Sequence, residues 1–151
     1  MKHLTLLIST LLFSLNSFAK EVEIQHQYVR ATPPHTTNSA AFFTIANNTD
    51  KNIELVAVKS DVAERTELHN HVSEDGLMKM RQVEKVVINA HDQTALQPGG
   101  YHVMLLGLKA PLTEGENINI TLYFDNGDEV KLITPIQKIS TSQEISEKKH
   151  H

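Results

Sequence analysis

The chain of 151 residues contains no cysteine, and this absence excludes several classes of protein. An exported protein without cysteine has no disulfide framework, so its fold must be held together by a hydrophobic core. Thiol redox chemistry and a lipid attached to an N-terminal cysteine are excluded for the same reason. A blue-copper electron-transfer centre is also disfavoured, because its short metal bond is made by a cysteine thiolate.

Clustered basic charge is missing as well. The chain carries 14 Lys and Arg against 18 Asp and Glu, a net charge of −4, and its one basic run is the pair Lys148-Lys149. Nucleic acids and anionic membrane surfaces are bound through clustered Lys and Arg, so neither is expected as a partner. No Ser-His-Asp, paired-carboxylate or phosphate-loop pattern is present, and we therefore do not expect an enzyme.

The first 19 residues are typical of a secretory signal peptide: a short basic start, an apolar run from Leu4 to Leu15, and small residues at Ser17 and Ala19. The apolar run is shorter than the roughly 20 residues that span a bilayer. We expect cleavage after Ala19, which removes one lysine and no acid and so takes the net charge from −4 to −5. The product should be a soluble periplasmic protein without a membrane span, with one domain at 20–137 and a flexible polar tail at 138–151.

Short stretches of alternating apolar and polar residues predict an all-β fold. In the first of them, one side of a strand is expected to carry Val22, Ile24, His26 and Tyr28. The clearest hairpin joins the segments 117–124 and 129–136. We expect at most one helical turn, at 60–64, because no long segment has a period of 3.6 residues. The pattern therefore predicts an antiparallel β-sandwich or small barrel of about eight strands.

The stretch from Glu67 to Met104 contains most of the chain's soft metal-binding side chains. Apart from the initiator, it holds every methionine and four of the nine histidines: Met78, Met80, Met104, His69, His71, His91 and His102. Thioether and neutral imidazole, without thiolate, form a ligand set that suits Cu(I) and binds zinc, magnesium or calcium poorly. The carboxylates near these histidines match no zinc-enzyme spacing. The stretch therefore predicts a Cu(I) site.

Strand geometry divides these donors into two groups. If Asp75-Gly76 is the central turn pair of a hairpin, His71 opposes Met80 and His69 opposes Gln82. A turn centred one residue earlier would place His69 opposite Met80 instead. Both registers place the same four donors on one face: His69, His71, Met78 and Met80. The second group, His102 and Met104, shares one face of a later strand that follows the Gly99-Gly100 bend.

Each of these residues also has an ordinary structural interpretation. Met104 could be a core methionine, and His102 a core histidine bonded to the backbone. His69 and His71 could be surface residues, and His26, His35 and His91 are assigned to surface or loop. The C-terminal pair His150-His151 could bind Cu(II) at a secondary site or could simply be solvated. On these interpretations the protein is a metal-free β-sandwich interaction module.

A family resemblance favours the metal site. The spacing of His69, Met80, His102 and Met104, with ten, twenty-one and one intervening residues, resembles the signature of the periplasmic copper chaperones called PCu(A)C. Four segments are similar to that family as well: S-A-A-F-F-T-I-A-N-N-T-D at 39–50, E-L-H at 67–69, G-L-M-K-M-R at 76–81 and P-G-G-Y-H-V-M-L-L-G-L at 98–108. The likeness extends over roughly 40–135.

The resemblance implies a cupredoxin-like β-sandwich with Cu(I) held by two histidines and two methionines. By position the ligands are His69, Met80, His102 and Met104, and two further donors could replace one of them: His71 and Met78. The resemblance also implies delivery of copper to the dinuclear copper centre of cytochrome c oxidase, directly to an oxidase subunit or through another assembly chaperone. Copper sequestration for tolerance is the alternative role. The chain's short, His-poor tail differs from the His- and Met-rich extensions of relatives, which weakens the case for a secondary Cu(II) site.

Overall fold

The computed structural model describes residues 20–138, so the predicted signal peptide and residues 139–151 of the predicted tail, with His150 and His151, lie outside the described residues. Within 20–138 the chain forms ten strands and no helix, and hence no helix long or apolar enough to cross a membrane. The strands are β1 (Val22–Arg30), β2 (Asn38–Asn47), β3 (Ile53–Lys59), β4 (Ala63–Glu74), β5 (Leu77–Gln82), β6 (Val86–Ile88), β7 (Gln93–Leu96), β8 (His102–Leu108), β9 (Asn117–Phe124) and β10 (Glu129–Gln137).

The strands form a continuous hydrogen-bonded path in the order β5-β4-β8-β2-β1-β10-β9-β3-β6, and β7 pairs with the second half of β2. All pairings are antiparallel except one: β1 and β10 run parallel where Val29 lies beside Ile136. This parallel pair joins the two halves of the path. The antiparallel sandwich expected from the sequence is therefore confirmed, with one parallel exception at the junction.

The two halves share a single hydrophobic core. Strands β2 and β8 contribute alternate residues from one half, and β3 and β9 contribute alternate residues from the other: Ala41, Phe43, Ile45, Val103, Leu105, Leu55, Ile118, Ile120 and Leu122. All of these side chains are buried. Period-two alternation leaves the intervening residues of β8, His102 and Met104, on the outer face of the sheet, away from the core.

The sequence predicts regular alternation along β1, but the strand does not alternate regularly. A bulge between Gln25 and Tyr28 inserts one extra residue, and His26 takes a positive φ of 55°. Ile24 therefore pairs with core-facing Ile45, whereas Tyr28 pairs with Phe42 on the outer face. The prediction that Tyr28 shares the face of Ile24 is wrong, because an inserted residue reverses the parity of everything that follows it.

Two other local expectations differ from the structure. The segment 60–64 makes no helical turn: it turns at Asp61-Val62 and enters β4 at Ala63. The short strand β7, Q-T-A-L, is absent from the sequence prediction because only two of its four residues are apolar. The strand count is accordingly ten rather than about eight.

Candidate metal site

The β4–β5 hairpin places four of the predicted donors on one face. Its loop is the two-residue turn Asp75-Gly76, and both residues have positive φ, 53° and 76°, as a tight hairpin turn of this kind requires. Glu74 pairs with Leu77, so His71 opposes Met80. Of the two registers left open by the sequence, the one centred on Asp75-Gly76 is confirmed.

Ion pairs on the opposite face of the hairpin connect β4 to β5. Glu74 accepts two hydrogen bonds from the Arg81 guanidinium, at 3.0 and 2.7 Å, and one from Lys79 Nζ at 3.1 Å. These bonds, first from Arg81 and then from Lys79, lower the pKa of the Glu74 carboxyl to about 2. The two strands of the hairpin are therefore linked by ion pairs on the face opposite the donors.

Strand β8 brings the remaining two donors alongside the hairpin. Its pairing with β4 places His102 opposite His69 and Met104 opposite Glu67. Directly opposed residues of an antiparallel pair share a face. All six candidate donors therefore lie on one outer face of three adjacent strands: His69, His71, Met78, Met80, His102 and Met104.

His102 is the most deeply placed of these donors, with 3% of its surface exposed. Its Nδ1 lies 3.0 Å from the carbonyl oxygen of Gly100, so Nδ1 carries the proton and donates it to that carbonyl. The other ring nitrogen, Nε2, is buried and has no hydrogen-bond partner. Burial lowers the pKa of His102, which keeps the ring neutral and leaves a lone pair on Nε2. A histidine oriented by a backbone carbonyl is the usual form of a metal ligand.

The second imidazole of the predicted ligand set, His69, has a similar arrangement with the nitrogens exchanged. Its Nε2 lies 2.8 Å from Glu67 Oε2, and its Nδ1 is buried without a partner. The ring centroids of His69 and His102 are 5.8 Å apart. Glu67 was not identified from the sequence as part of the site, although its position two residues before His69 places it on the same strand face.

His71 lies nearer the opening of the site. Its ring centroid is 5.1 Å from that of His102, and its Nδ1 is 3.4 Å from the Gly100 carbonyl that also accepts from His102. A cavity of about 430 Å³ is lined by His71 together with Met80, His102 and Met104, but not by His69. Two imidazoles are therefore candidates for the second nitrogen ligand: His71, which lines the cavity, and His69, which does not.

Phe42, Tyr28 and Arg30 form an aromatic and cationic platform beside His102. Phe42 lies 6.3 Å from His102 between ring centroids and 5.1 Å from Tyr28, and the Arg30 guanidinium sits 5.6 Å above the Phe42 ring. The Arg30 charge adds to the lowering of the His102 pKa. Sequence reasoning missed this platform because the β1 bulge, which turns Tyr28 outward, leaves no signal in the hydrophobic pattern.

The remaining histidines of the described chain do not line the cavity in front of His102. His26, His35 and His91 all take positive φ in bulges or turns, and His91 Nε2 bonds to Asp50 Oδ1 at 2.5 Å. Within residues 20–138, no group of three or more His, Cys, Asp or Glu side chains is placed to hold a metal ion. A site on this face would therefore depend on the methionines as well as the histidines.

A larger cavity of about 690 Å³ adjoins the donor cavity and shares residues 30–33 with it. Its walls come from the proline-containing loops, with Pro34, Pro111 and Leu112 among them. It contains neither histidine nor methionine, so its greater size does not make it the better candidate for metal chemistry.

Comparison with known proteins agrees with this picture. The family described as "Putative lipoprotein LpqE-like" matches residues 22–136. The chain is 32% identical over 127 residues to "Putative lipoprotein Lxx21020" of Leifsonia xyli subsp. xyli, which covers 83% of this chain and 75% of that protein. It is similar in structure to Cu(I)-DR1885 of Deinococcus radiodurans, with a TM-score of 0.67 and 34% identity over 82% of this chain and 83% of that one.

The chain also resembles the copper-bound PCuAC domain from PmoF2, with a TM-score of 0.68 over 80% of this chain and 95% of that domain. The sequence identity there is 20%, so this likeness concerns the fold alone. Together with the ten-stranded architecture, these neighbours confirm both the cupredoxin-like β-sandwich and the resemblance to PCu(A)C domains.

Proposed function

The chain belongs to the LpqE-like family, whose match extends over residues 22–136, and we propose that it is a copper chaperone of the cell envelope. We propose that it binds Cu(I) through two histidines and two methionines and passes the ion to an acceptor protein. The chaperone role is supported by its likeness to DR1885, a protein whose structure is known with Cu(I).

One observation carries the proposal: two imidazole nitrogens are buried without partners on the donor face. These are His102 Nε2 and His69 Nδ1. Burying an unpaired polar atom costs about 1–3 kcal/mol, and proteins accept such costs mainly at functional sites. A soft metal ion would satisfy both nitrogens at once. The alternative of a metal-free interaction module offers no account of them.

The proposed ligand set is His69, Met80, His102 and Met104. The two histidines supply buried nitrogens whose other ring nitrogens are held by Glu67 and by the Gly100 carbonyl. The two methionines supply thioethers from β5 and β8, on either side of β4. Neutral donors of this kind stabilise Cu(I) over Cu(II) and over hard divalent ions.

The test is competition for Cu(I) against a chromogenic chelator under reducing conditions. The double variant Met80→Ala with Met104→Ala removes both thioethers and should lose most of the wild-type affinity. The matched control is Leu77→Ala, on the same strand as Met80 but on the opposite face, which should bind as the wild type does. Equal affinity in the double variant and the wild type would refute the ligand assignment.

We further propose that the acceptor is the dinuclear copper centre of cytochrome c oxidase, reached in the periplasm after export through a cleaved signal peptide. The name "putative lipoprotein" of a relative supports an envelope location, although this chain has no cysteine to carry a lipid. Loss of oxidase activity in a deletion strain at limiting copper is expected for delivery. Copper sensitivity with intact oxidase would instead indicate sequestration.

A further inference from the structure

The donors on this face range from the buried His102 on β8 to the exposed methionines of β5, and Met104 of β8 is intermediate. His102 on β8 is 3% exposed, Met80 on β5 is 45% exposed, and Met78, two residues nearer the hairpin tip, is 62% exposed. His69 and His71 on β4 are intermediate. Since all lie on one face, they form a continuous series of donors from the buried nitrogens to the outer edge of the sheet.

Two members of this series are not needed for a four-ligand site. His71 opposes Met80 directly and lies in the cavity in front of His102. Met78 opposes Ser73, two cross-strand pairs farther toward the tip, which leaves its side chain diagonal to His71 and within reach of it. Strand β5 is the last strand of the described path, so no neighbouring strand covers Met78.

Met78 is also hard to explain by folding alone. Leu77 and Met78 are neighbours with almost equal exposure, 65% and 62%, and neither contributes to the core cluster. An exposed thioether at a hairpin tip adds little stability. On the opposite face, Glu74 bonds to Lys79 and Arg81, and the Met78 side chain projects from a strand that is paired with β4 as far as the turn.

We propose that His71 and Met78 are transfer ligands, which take Cu(I) from the buried site and present it at the edge of β5. This inference rests on the proposed copper-binding function. In each step an incoming nitrogen or sulfur forms a bond to Cu(I) before an outgoing ligand leaves. The ion keeps its charge, no proton moves because His71 donates from Nδ1 and coordinates through Nε2, and no electron is transferred. Copper thus reaches an acceptor without release into water.

A transfer ligand changes the rate at which copper leaves the protein and not the equilibrium affinity for Cu(I). Stopped-flow transfer of Cu(I) from the loaded protein to a chromogenic chelator measures both quantities. Met78→Leu keeps the size and apolarity of the side chain but removes the thioether. It should leave the equilibrium affinity unchanged and slow transfer about tenfold, the effect of about 1.4 kcal/mol on the barrier. The control Leu77→Ala, equally exposed on the other face, should transfer at the wild-type rate. His71→Gln should also slow transfer.

The possible outcomes distinguish a transfer role of Met78 from a resident role and from no role in copper binding. A Met78→Leu protein that transfers copper as fast as the wild type overturns the inference and leaves the proposed function intact. Loss of affinity in Met78→Leu as large as in Met80→Ala with Met104→Ala makes Met78 a resident ligand, which also overturns it. Failure of the wild type to take up Cu(I) at all overturns the proposed function itself. Slower transfer at unchanged affinity supports the inference.

Discussion

Replacing His102 with leucine is expected to stabilise the copper-free protein and to abolish its copper affinity. In the folded chain, Nε2 of His102 is buried without a partner, at a cost of about 1–3 kcal/mol. The Nδ1 bond to the Gly100 carbonyl, at 3.0 Å, returns about 0.5–1.5 kcal/mol. Leucine has a similar volume, removes both terms, and leaves His71 as a second donor 3.4 Å from that carbonyl.

The balance is a gain of about 1 kcal/mol in the free energy of unfolding, or roughly 3–6 °C in Tm for a domain of this size. Urea denaturation and thermal melting of the metal-free protein measure it, with Cu(I) competition run on the same samples. Leu105→Ala is the matched control, because Leu105 is fully buried on the core face of the same strand and should cost about 2–5 kcal/mol. Destabilisation of His102→Leu by more than about 2 kcal/mol, or retained copper affinity, would refute the reasoning.

Three further predictions concern the metal-free protein. Burial lowers the pKa of His102, so below pH 6.5 the unfolded chain binds more protons than the folded one. The free energy of unfolding should therefore fall as pH decreases from 7 to 5, by at most about 1.4 kcal/mol per pH unit. Urea titrations should show this slope in the wild type and a smaller one in His102→Leu. Thr134→Val should raise the unfolding free energy by about 1 kcal/mol, since the Thr134 hydroxyl is buried without a partner, and a loss of stability would mean that the hydroxyl is bonded. Gly76→Ala should cost about 1 kcal/mol because of its positive φ of 76°, whereas Gly100→Ala, which has no positive φ, should cost less; equal costs would contradict the turn geometry.

The hairpin and its donor face could be predicted from the sequence because their signals are local. Asp75-Gly76 specifies a two-residue turn, and once the turn is fixed, period-two alternation decides which side chains share a face. The same rule places His102 and Met104 together. The sequence therefore predicts which donors share a face within the hairpin and within β8, but the pairing of β4 with β8, which brings the two groups together, appears only in the structure.

The parts that sequence reasoning missed depend on contacts between distant segments. The platform beside His102 depends on the β1 bulge between Gln25 and Tyr28, which turns Tyr28 toward Phe42, and nothing in the alternation marks an inserted residue. The competition between His69 and His71 depends on which ring nitrogen Glu67 and the Gly100 carbonyl occupy. Hydrogen bonds of this kind are decided by tertiary packing, and a residue spacing alone does not encode them.

X-ray absorption at the copper edge, on protein loaded with one equivalent of Cu(I), identifies the ligands of the proposed site, because sulfur and nitrogen neighbours scatter differently. We predict two sulfur and two nitrogen neighbours of copper in the wild type. The sulfur neighbours should be lost in Met80→Ala with Met104→Ala, and two sulfurs should be retained in Met78→Leu. A first shell of nitrogen and oxygen alone in the wild type would contradict the proposed site.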